Sequence, residues 1–252
     1  MRNSFPTLLL LGVLALACLL LPGCLDGNED IRINADGSGT CTATYLVPVA
    51  AVAASGGPET MRQQLEDWVA AQQGMKIDDI DFSEVGDRLR IHGSIRFDSA
   101  FALIDASAAG QLQDLPPAAR HLIGTLDFRM RGRQVELART VSPRAALGSA
   151  MLFTNAGELA EHRLVYQISL PVTPDSHNAT STRDDGRTLV WEFPLDEAVD
   201  QPPVMRLTAT IPIPWWVWAA GAALLIAITA ATTAIVRHLR RKLHPSFPDV
   251  PV

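Results

Sequence analysis

Alternation of apolar and polar residues predicts most of the strands in this chain of 252 residues. The clearest alternation runs from Arg88 to Phe97. Its apolar positions are Leu89, Ile91, Ile95 and Phe97, and its polar positions are Arg88, Arg90, His92, Ser94 and Arg96. Successive side chains of a strand point to opposite faces, so this pattern predicts one buried face and one face in water.

Three glycine-containing turns are each flanked by shorter alternating stretches. The turns are Asp36–Gly39, Arg131–Arg133 and Asp184–Gly186. They predict strand pairs at 31–33 with 40–47, 126–130 with 135–141, and 164–170 with 189–193. A weaker strand is predicted at 77–82 and a last one at 205–213.

Two segments have the spacing of helices. A helix beginning near Pro58 places Met61, Leu65, Trp68 and Val69 on one apolar face, and a second helix is predicted over Ser99–Ala109. Helices interspersed with hairpins predict an α+β fold. We expect a largely antiparallel sheet of amphipathic strands, two or more helices and one C-terminal transmembrane helix.

The N-terminus has the features of an export signal that ends in a cysteine. Arg2 precedes an apolar stretch, Leu8–Leu21, and the small residue Gly23 stands before Cys24. With Leu21 three residues before the cut, this segment resembles the bacterial lipobox. Residues 1–23 are therefore predicted to be a lipoprotein signal peptide, with a diacylglycerol on Cys24.

Two alternatives to this interpretation remain open. Pro22 stands where Ala or Ser is more usual, so an ordinary signal peptide or an uncleaved anchor with an incidental cysteine is the competing reading. Cys18 is the weaker lipidation candidate because Ala15, not leucine, lies three residues before it.

Residues 215–236 carry no charge and are predicted to form a transmembrane helix. Trp215, Trp216 and Trp218 would form an interfacial belt at its start. Basic residues follow its end, at Arg237, Arg240, Arg241 and Lys242. They predict a short cytoplasmic tail, 237–252, and an extracytoplasmic domain, 24–214. The expected location is the bacterial plasma (inner) membrane, with the domain periplasmic in a diderm host.

The predicted extracytoplasmic domain is acidic. Residues 25–214 hold 16 basic and 26 acidic side chains, a formal charge of about −10. This charge disfavours nucleic acid as a partner, because phosphate neutralisation needs cations. Once Cys18 is removed and Cys24 is acylated, only Cys41 is free. No disulfide within the chain is then possible, and Cys41 is expected to be a small buried hydrophobe.

Both ends of the chain resemble the LppM-type bacterial lipoproteins. The resemblance is carried by the lipobox Cys24 with the Asp36–Gly39 hairpin, by the stretches 170–172 and 185–195, and by a closing helix. It implies a mixed α/β lipid-binding module of the cell envelope. The middle of the chain, 56–122, has no matching motif.

No pattern typical of catalysis is present. The chain has no GxSxG elbow, Walker A loop, HExxH pair or CxxC. The four exported histidines, at positions 92, 121, 162 and 177, are each expected to be solvated. Asp78, Asp79 and Asp81 are expected to form a solvated strand edge, not a calcium site. We therefore predict a protein that is not an enzyme and that uses no cofactor or metal.

The three arginines on the polar face of the Arg88–Phe97 strand are the candidate site. Arg88, Arg90 and Arg96 fall on one strand face and suit contacts with lipid headgroup phosphates. The alternative is that they pair with acidic residues on neighbouring strands.

The predicted function is that of a membrane-anchored envelope lipoprotein that binds a lipid or another envelope component. The expected partners are the membrane itself, a lipid ligand and a membrane protein. Two other classes remain open: an accessory subunit of a membrane protein complex and an unrecognised hydrolase.

Overall fold

The first of the two units into which the chain divides contains two β-sheets and ends at Thr210. The computed structural model describes residues 25–54, 56–107, 112–148, 151, 156–211 and 215–243. The lipidation candidates Cys18 and Cys24 lie outside these residues. The prediction about them stays a prediction.

The larger sheet has seven strands. They are β1 (Asp26–Ile33), β2 (Gly39–Pro48), β3 (Met75–Val85), β4 (Arg88–Phe97), β7 (Arg163–Ser169), β9 (Ser181–Arg183) and β10 (Thr188–Pro194), in the order β3-β4-β2-β1-β7-β10-β9. The smaller sheet has four strands. They are β5 (Thr125–Arg131), β6 (Gln134–Thr140), β8 (Ser176–His177) and β11 (Val204–Thr210), in the order β5-β6-β11-β8.

Short helices connect the strands. In the first unit they are α1 (Val49–Ala54), α2 (Pro58–Ala71), α3 (Ala100–Ala106), α4 (Pro117–Ile123), α5 (Pro143–Leu147), α6 (Ala156–Ala160) and α7 (Leu195–Asp200). The helix α2 buries Met61, Trp68 and Val69, which are three of the four residues that its apolar face predicts. The class is therefore α+β.

The seven-stranded sheet is mixed, not purely antiparallel. The strands β1 and β2 form the first predicted hairpin, but the other edge of β1 pairs in parallel with β7. The remaining pairs of neighbouring strands in the seven-stranded sheet are antiparallel. Short-range patterns predict hairpins well, whereas the parallel contact joins segments more than 130 residues apart, such as Gly27 and Leu164.

The core contains the apolar face of the seven-stranded sheet. Phe97, Leu164 and Leu189 are fully buried there, and Trp191 is 1% exposed. Burial of one such side chain contributes roughly 1.5–3 kcal/mol. The alternation in β4 is confirmed, since Leu89 and Phe97 are buried and belong to core clusters. Helices α1 and α2 add Val52 and Met61 to the cluster around Leu89.

The second unit begins at Ile211 and contains α8 (Trp215–Leu243). A helix forms where one is predicted, but the prediction that it spans a membrane is corrected. Within the residues that the structure describes, no helix is both long and apolar enough to cross a bilayer. The cytoplasmic C-terminus inferred from the span loses its support with it.

Candidate functional site

The polar side of the seven-stranded sheet carries a concave depression. It has a volume of about 370 Å³ and is lined by Asn28, Asp30, Arg32, Thr40, Thr42 and Thr44. Alternation places these side chains together: β1 and β2 pair with Asp30 opposite Thr42, so their polar positions fall on one side. The helices α1 and α2 pack on the other, apolar side. We call this polar side of β1, β2 and β4 the open face.

Two threonine hydroxyls make side-chain contacts on the open face. Thr42 Oγ1 lies 3.3 Å from Ser94 Oγ, and Thr44 Oγ1 lies 2.8 Å from His92 Nδ1. Each hydroxyl both donates and accepts hydrogen bonds, so each keeps capacity for a further partner. The depression therefore presents donors and acceptors of both kinds.

An ion pair lies on the β1 side of the depression. Arg32 Nη2 is 2.9 Å from Asp30 Oδ2, and Gln167 Nε2 donates to Asp30 Oδ1 at 3.3 Å. The hydrogen bond to Asp30 raises the pKa of Arg32, so the guanidinium stays charged. Its side chain is 66% exposed, which leaves most of its N–H donors in water.

Each of the three predicted site arginines is paired with an aspartate. Arg88 Nη1 lies 3.1 Å from Asp26 Oδ2, Arg90 Nη2 lies 3.3 Å from Asp81 Oδ2, and Arg96 Nη2 lies 2.9 Å from Asp78 Oδ1. Two of these aspartates belong to the neighbouring strand β3. Arg90 and Arg96 thus pair with acidic residues of a neighbouring strand, which was the alternative, and Arg88 pairs with an aspartate of β1. The headgroup role of Arg88, Arg90 and Arg96 stays a prediction.

The acidic run in β3 is occupied by these pairs. Besides Asp78 and Asp81, Asp79 Oδ2 lies 3.8 Å from His92 Nε2. No group of three or more His, Cys, Asp or Glu side chains suited to a metal ion occurs among the described residues. The carboxylates of β3 therefore balance the cations of β4.

A second polar cluster brings together Asp26, His162 and Arg88. His162 Nδ1 lies 2.7 Å from Asp26 Oδ2, and Arg88 Nη2 lies 3.4 Å from His162 Nε2. Asp26 Oδ1 also accepts a hydrogen bond from the backbone N–H of Arg163 at 3.2 Å. His162 is 8% exposed, so the expectation of a solvated histidine does not hold here. Its partner is 136 positions away in the sequence, which no local pattern reveals.

The other histidines have different surroundings. His177 is exposed, and its Nδ1 accepts a hydrogen bond from the backbone N–H of Ala179 at 3.2 Å. His121 is half-buried, and its carbonyl oxygen accepts from the backbone N–H of Ser142 at 3.1 Å.

Cys41 packs against the main core as a free thiol. Burial is the main cause that raises the pKa of this thiol, with the charge of Glu29 adding to it. Cys41 is half-buried, and its raised pKa disfavours the thiolate, which is the reactive form.

A buried ion pair joins the two sheets. Arg139 of β6 donates two hydrogen bonds to the carboxylate of Glu29 on β1, and both residues are less than 9% exposed. The guanidinium also donates to the carbonyl oxygens of Leu122 and Ile123 at the end of α4. All partners of this pair are internal, so it is a structural contact between the layers.

A distant similarity links the chain to a solved structure. This is the NMR structure of the folded domain of LppM from Mycobacterium tuberculosis, with a TM-score of 0.41 and 14% identity over 77% of this chain and 94% of that chain. No protein-family model and no curated protein matches the chain. The resemblance predicted from the sequence is met only as a distant likeness of fold, and it carries no argument about function.

Proposed function

We propose that the chain is a non-enzymatic envelope lipoprotein that binds the hydroxylated part of an envelope component on its open face. The depression lined by Asn28, Asp30, Arg32 and three threonines carries this proposal. A lipid headgroup and an envelope glycan share the chemistry that would fit it, namely many hydroxyl groups in a small volume.

The lining favours a polar ligand over an acyl chain. All six lining residues are polar or charged, and burying them against hydrocarbon would leave their donors and acceptors without partners. Sugar hydroxyls satisfy both kinds of group, and the exposed guanidinium of Arg32 also suits a phosphate. The inward side of the same sheet is filled by packed side chains such as Phe97 and Leu164.

The lipoprotein part of the proposal rests on the N-terminal sequence. The Leu21–Gly23 segment followed by Cys24 predicts acylation of Cys24, and the export signal places the acidic domain outside the cytoplasm. Cys24→Ala should block labelling by a fatty-acid analogue and leave a precursor of higher mass. Labelling that persists in Cys24→Ala would contradict this and point to Cys18.

Ligand binding is tested with the full chain and two fractions of the host envelope. One fraction is a total lipid extract, and the other is delipidated polysaccharide, so retention by one of them identifies the source of the hydroxyl groups. The double substitution Thr42→Val and Thr44→Val removes two hydroxyls at nearly constant volume. It should weaken binding about tenfold. Each lost hydrogen bond costs about 1 kcal/mol of binding free energy, and water that replaces the lost contacts offsets part of that cost.

The matched control is Thr140→Val, a half-buried threonine of β6 on the other sheet. It should bind as the native chain does. Equal binding by the native chain and the double variant would overturn the assignment of the open face, as would retention on neither fraction.

A further inference from the structure

No spacer separates Cys24 from the folded unit. Leu25 is 2% exposed and belongs to the main core, and β1 begins at the next residue, Asp26. Consecutive Cα atoms are about 3.8 Å apart. Any group attached to Cys24 is therefore held at the very start of β1.

The start of β1 is fixed and cannot serve as a spacer by separating from the sheet. The side chain of Asp26 bonds to His162 at 2.7 Å and to Arg88 at 3.1 Å, and it accepts from the backbone of Arg163. These contacts tie β1 to both β4 and the start of β7. Leu25, which precedes Asp26, is itself held by its burial in the main core.

Three strands extend beyond the start of β1 at this end of the sheet. Asp26 lies opposite Leu46, whereas β2 continues for two more residues to Pro48, which lies opposite Arg88. At about 3.3 Å per residue this overhang is roughly 7 Å. Arg88 in turn lies opposite Val85. We call the overhanging residues the tether edge; they are Pro48, Val49, Val85, Gly86 and Asp87.

Two apolar side chains of the tether edge are exposed. Val85 is 52% exposed and Val49 is 37% exposed, and the backbone N–H of Val49 donates to the carbonyl oxygen of Asp87 at 3.3 Å. The charged residues near Val85 in the sequence, Glu84, Asp87 and Arg88, are of both signs. The edge is therefore marked by its valines and its overhang, not by one sign of charge.

We propose that the tether edge is seated against the headgroups of the bilayer that holds the lipid on Cys24, with Val49 and Val85 within the headgroup layer. This inference rests on the proposed acylation of Cys24. Each headgroup layer of a bilayer is about 5–7 Å thick, which is close to the overhang of roughly 7 Å. Because no spacer follows Cys24, a lipid on that residue brings the overhanging strands into this layer.

Seating the edge also positions the open face. Asn28, the nearest residue of the depression, is two residues along β1 from Asp26. The depression thus begins roughly 7 Å along the strand from Asp26. Headgroups and glycans of the same membrane lie within reach of this position.

The test uses the full acylated chain in vesicles and two single-cysteine probes with matched exposure. Val85→Cys reports on the tether edge, and Met130→Cys, at a residue 51% exposed on β5, is the control. Each carries a nitroxide whose access to a water-soluble nickel complex is measured. Cys41 is half-buried, so it is replaced in both probes by Cys41→Ala, and the Cys41→Ala chain without a probe, treated in the same way, gives the background.

We expect the label at position 85 to lose access to nickel in vesicles while the label at position 130 keeps it. The loss should be the same in phosphatidylcholine and phosphatidylglycerol vesicles, because the edge carries both signs of charge. A Gly-Ser spacer of about ten residues, inserted between Cys24 and Leu25, reaches roughly 17 Å and should restore access at position 85.

Equal access at positions 85 and 130 in the acylated chain would overturn the seating and leave the acylation intact. Loss of access that persists with the spacer would show that the missing spacer is not what seats the edge. The mass of the purified chain reports acylation separately, and a chain without acyl groups overturns this inference together with the proposed lipoprotein function.

Discussion

Arg139 and Glu29, 110 residues apart, form a doubly hydrogen-bonded ion pair that joins the four-stranded sheet to the seven-stranded one. The Arg139 guanidinium also lies over the ring of Tyr166, 5.2 Å from its centroid, and Tyr45 Oη donates to Glu29 Oε2 at 3.3 Å. The charge of Glu29 and the hydrogen bonds to it raise the pKa of Arg139 against the effect of burial. The guanidinium of Arg139 therefore stays charged.

Removing one member of this pair should be far more harmful than removing both. Arg139→Met leaves a buried carboxylate without its partner and should lower the free energy of unfolding by about 3–5 kcal/mol. The double variant Glu29→Leu with Arg139→Met should be more stable than either single variant, because no unpaired charge remains. Urea unfolding of the full chain, followed by circular dichroism, measures the three values.

The control for this series is Arg129→Met on the neighbouring strand β5. Arg129 pairs with Asp127 at 3.0 Å, but both side chains are about 60% exposed. Exposed pairs contribute about 0–1 kcal/mol, so this variant should unfold nearly as the native chain does. A large loss in Arg129→Met, or none in Arg139→Met, would contradict the distinction.

Alkaline pH should destabilise the fold. Burial is the main cause that raises the pKa of both Tyr45 and Tyr166 above the ordinary value of 10.0. The unfolded chain ionises near pH 10 while the folded chain does not, so stability is intact below that pH and falls above it. Above pH 10, each of the two tyrosines should lower the free energy of unfolding by about 1.4 kcal/mol per pH unit.

These are the only two tyrosines in the chain, so tyrosinate absorbance in the near ultraviolet reports on them alone. The absorbance should appear together with unfolding and not in a separate earlier step. Phe substitutions at the two positions should remove the signal. Ionisation near pH 10 in the folded chain would show that the rings are not shielded.

Two glycines of the seven-stranded sheet should respond differently to alanine. A Cβ on Gly39 would lie 2.0 Å from the carbonyl oxygen of Arg32 and 2.5 Å from the ring of Phe97. Gly39→Ala should therefore lower the free energy of unfolding by about 1–3 kcal/mol. A Cβ on Gly93 of β4 would meet nothing within 4 Å. Thermal unfolding of the two variants should show a lower midpoint for Gly39→Ala alone.

Two aspartates of β1 allow a matched comparison at the start of the strand. Asp26→Asn removes the charge that holds His162 and Arg88 together, and it should lower the free energy of unfolding by about 1–3 kcal/mol. Asp30→Asn, four residues along, removes a pair to the 66% exposed Arg32 and should cost less than 1 kcal/mol. Equal losses would mean that the Asp26 cluster does not hold the start of β1.

Local patterns determined the elements of this protein. Alternation predicts β4 and its buried face. In the predicted Asp36–Gly39 turn, Gly37 has a positive φ of +87°. The spacing of Met61 and Trp68 predicts the buried face of α2. Such features depend on residues close in sequence, where the period of side-chain directions is fixed by backbone geometry.

The lack of charge in residues 215–236 predicts a helix there, and α8 is present, but the sequence did not determine that it crosses a membrane. Only part of the candidate site could be predicted from the sequence. The alternation shows that Arg88, Arg90 and Arg96 share a face, but their aspartate partners depend on which strands become neighbours.

The long-range pairings were decided by tertiary structure alone. The parallel pairing of β1 with β7 brings His162 to Asp26, and the contact between the sheets brings Arg139 to Glu29. Each contact needs a chain closure of more than 100 residues, and buried charges are stable only where the completed fold supplies every partner. Residue types and local spacing do not indicate which distant segments come together. The periodicity of a strand, in contrast, is visible within the ten or so residues of that strand.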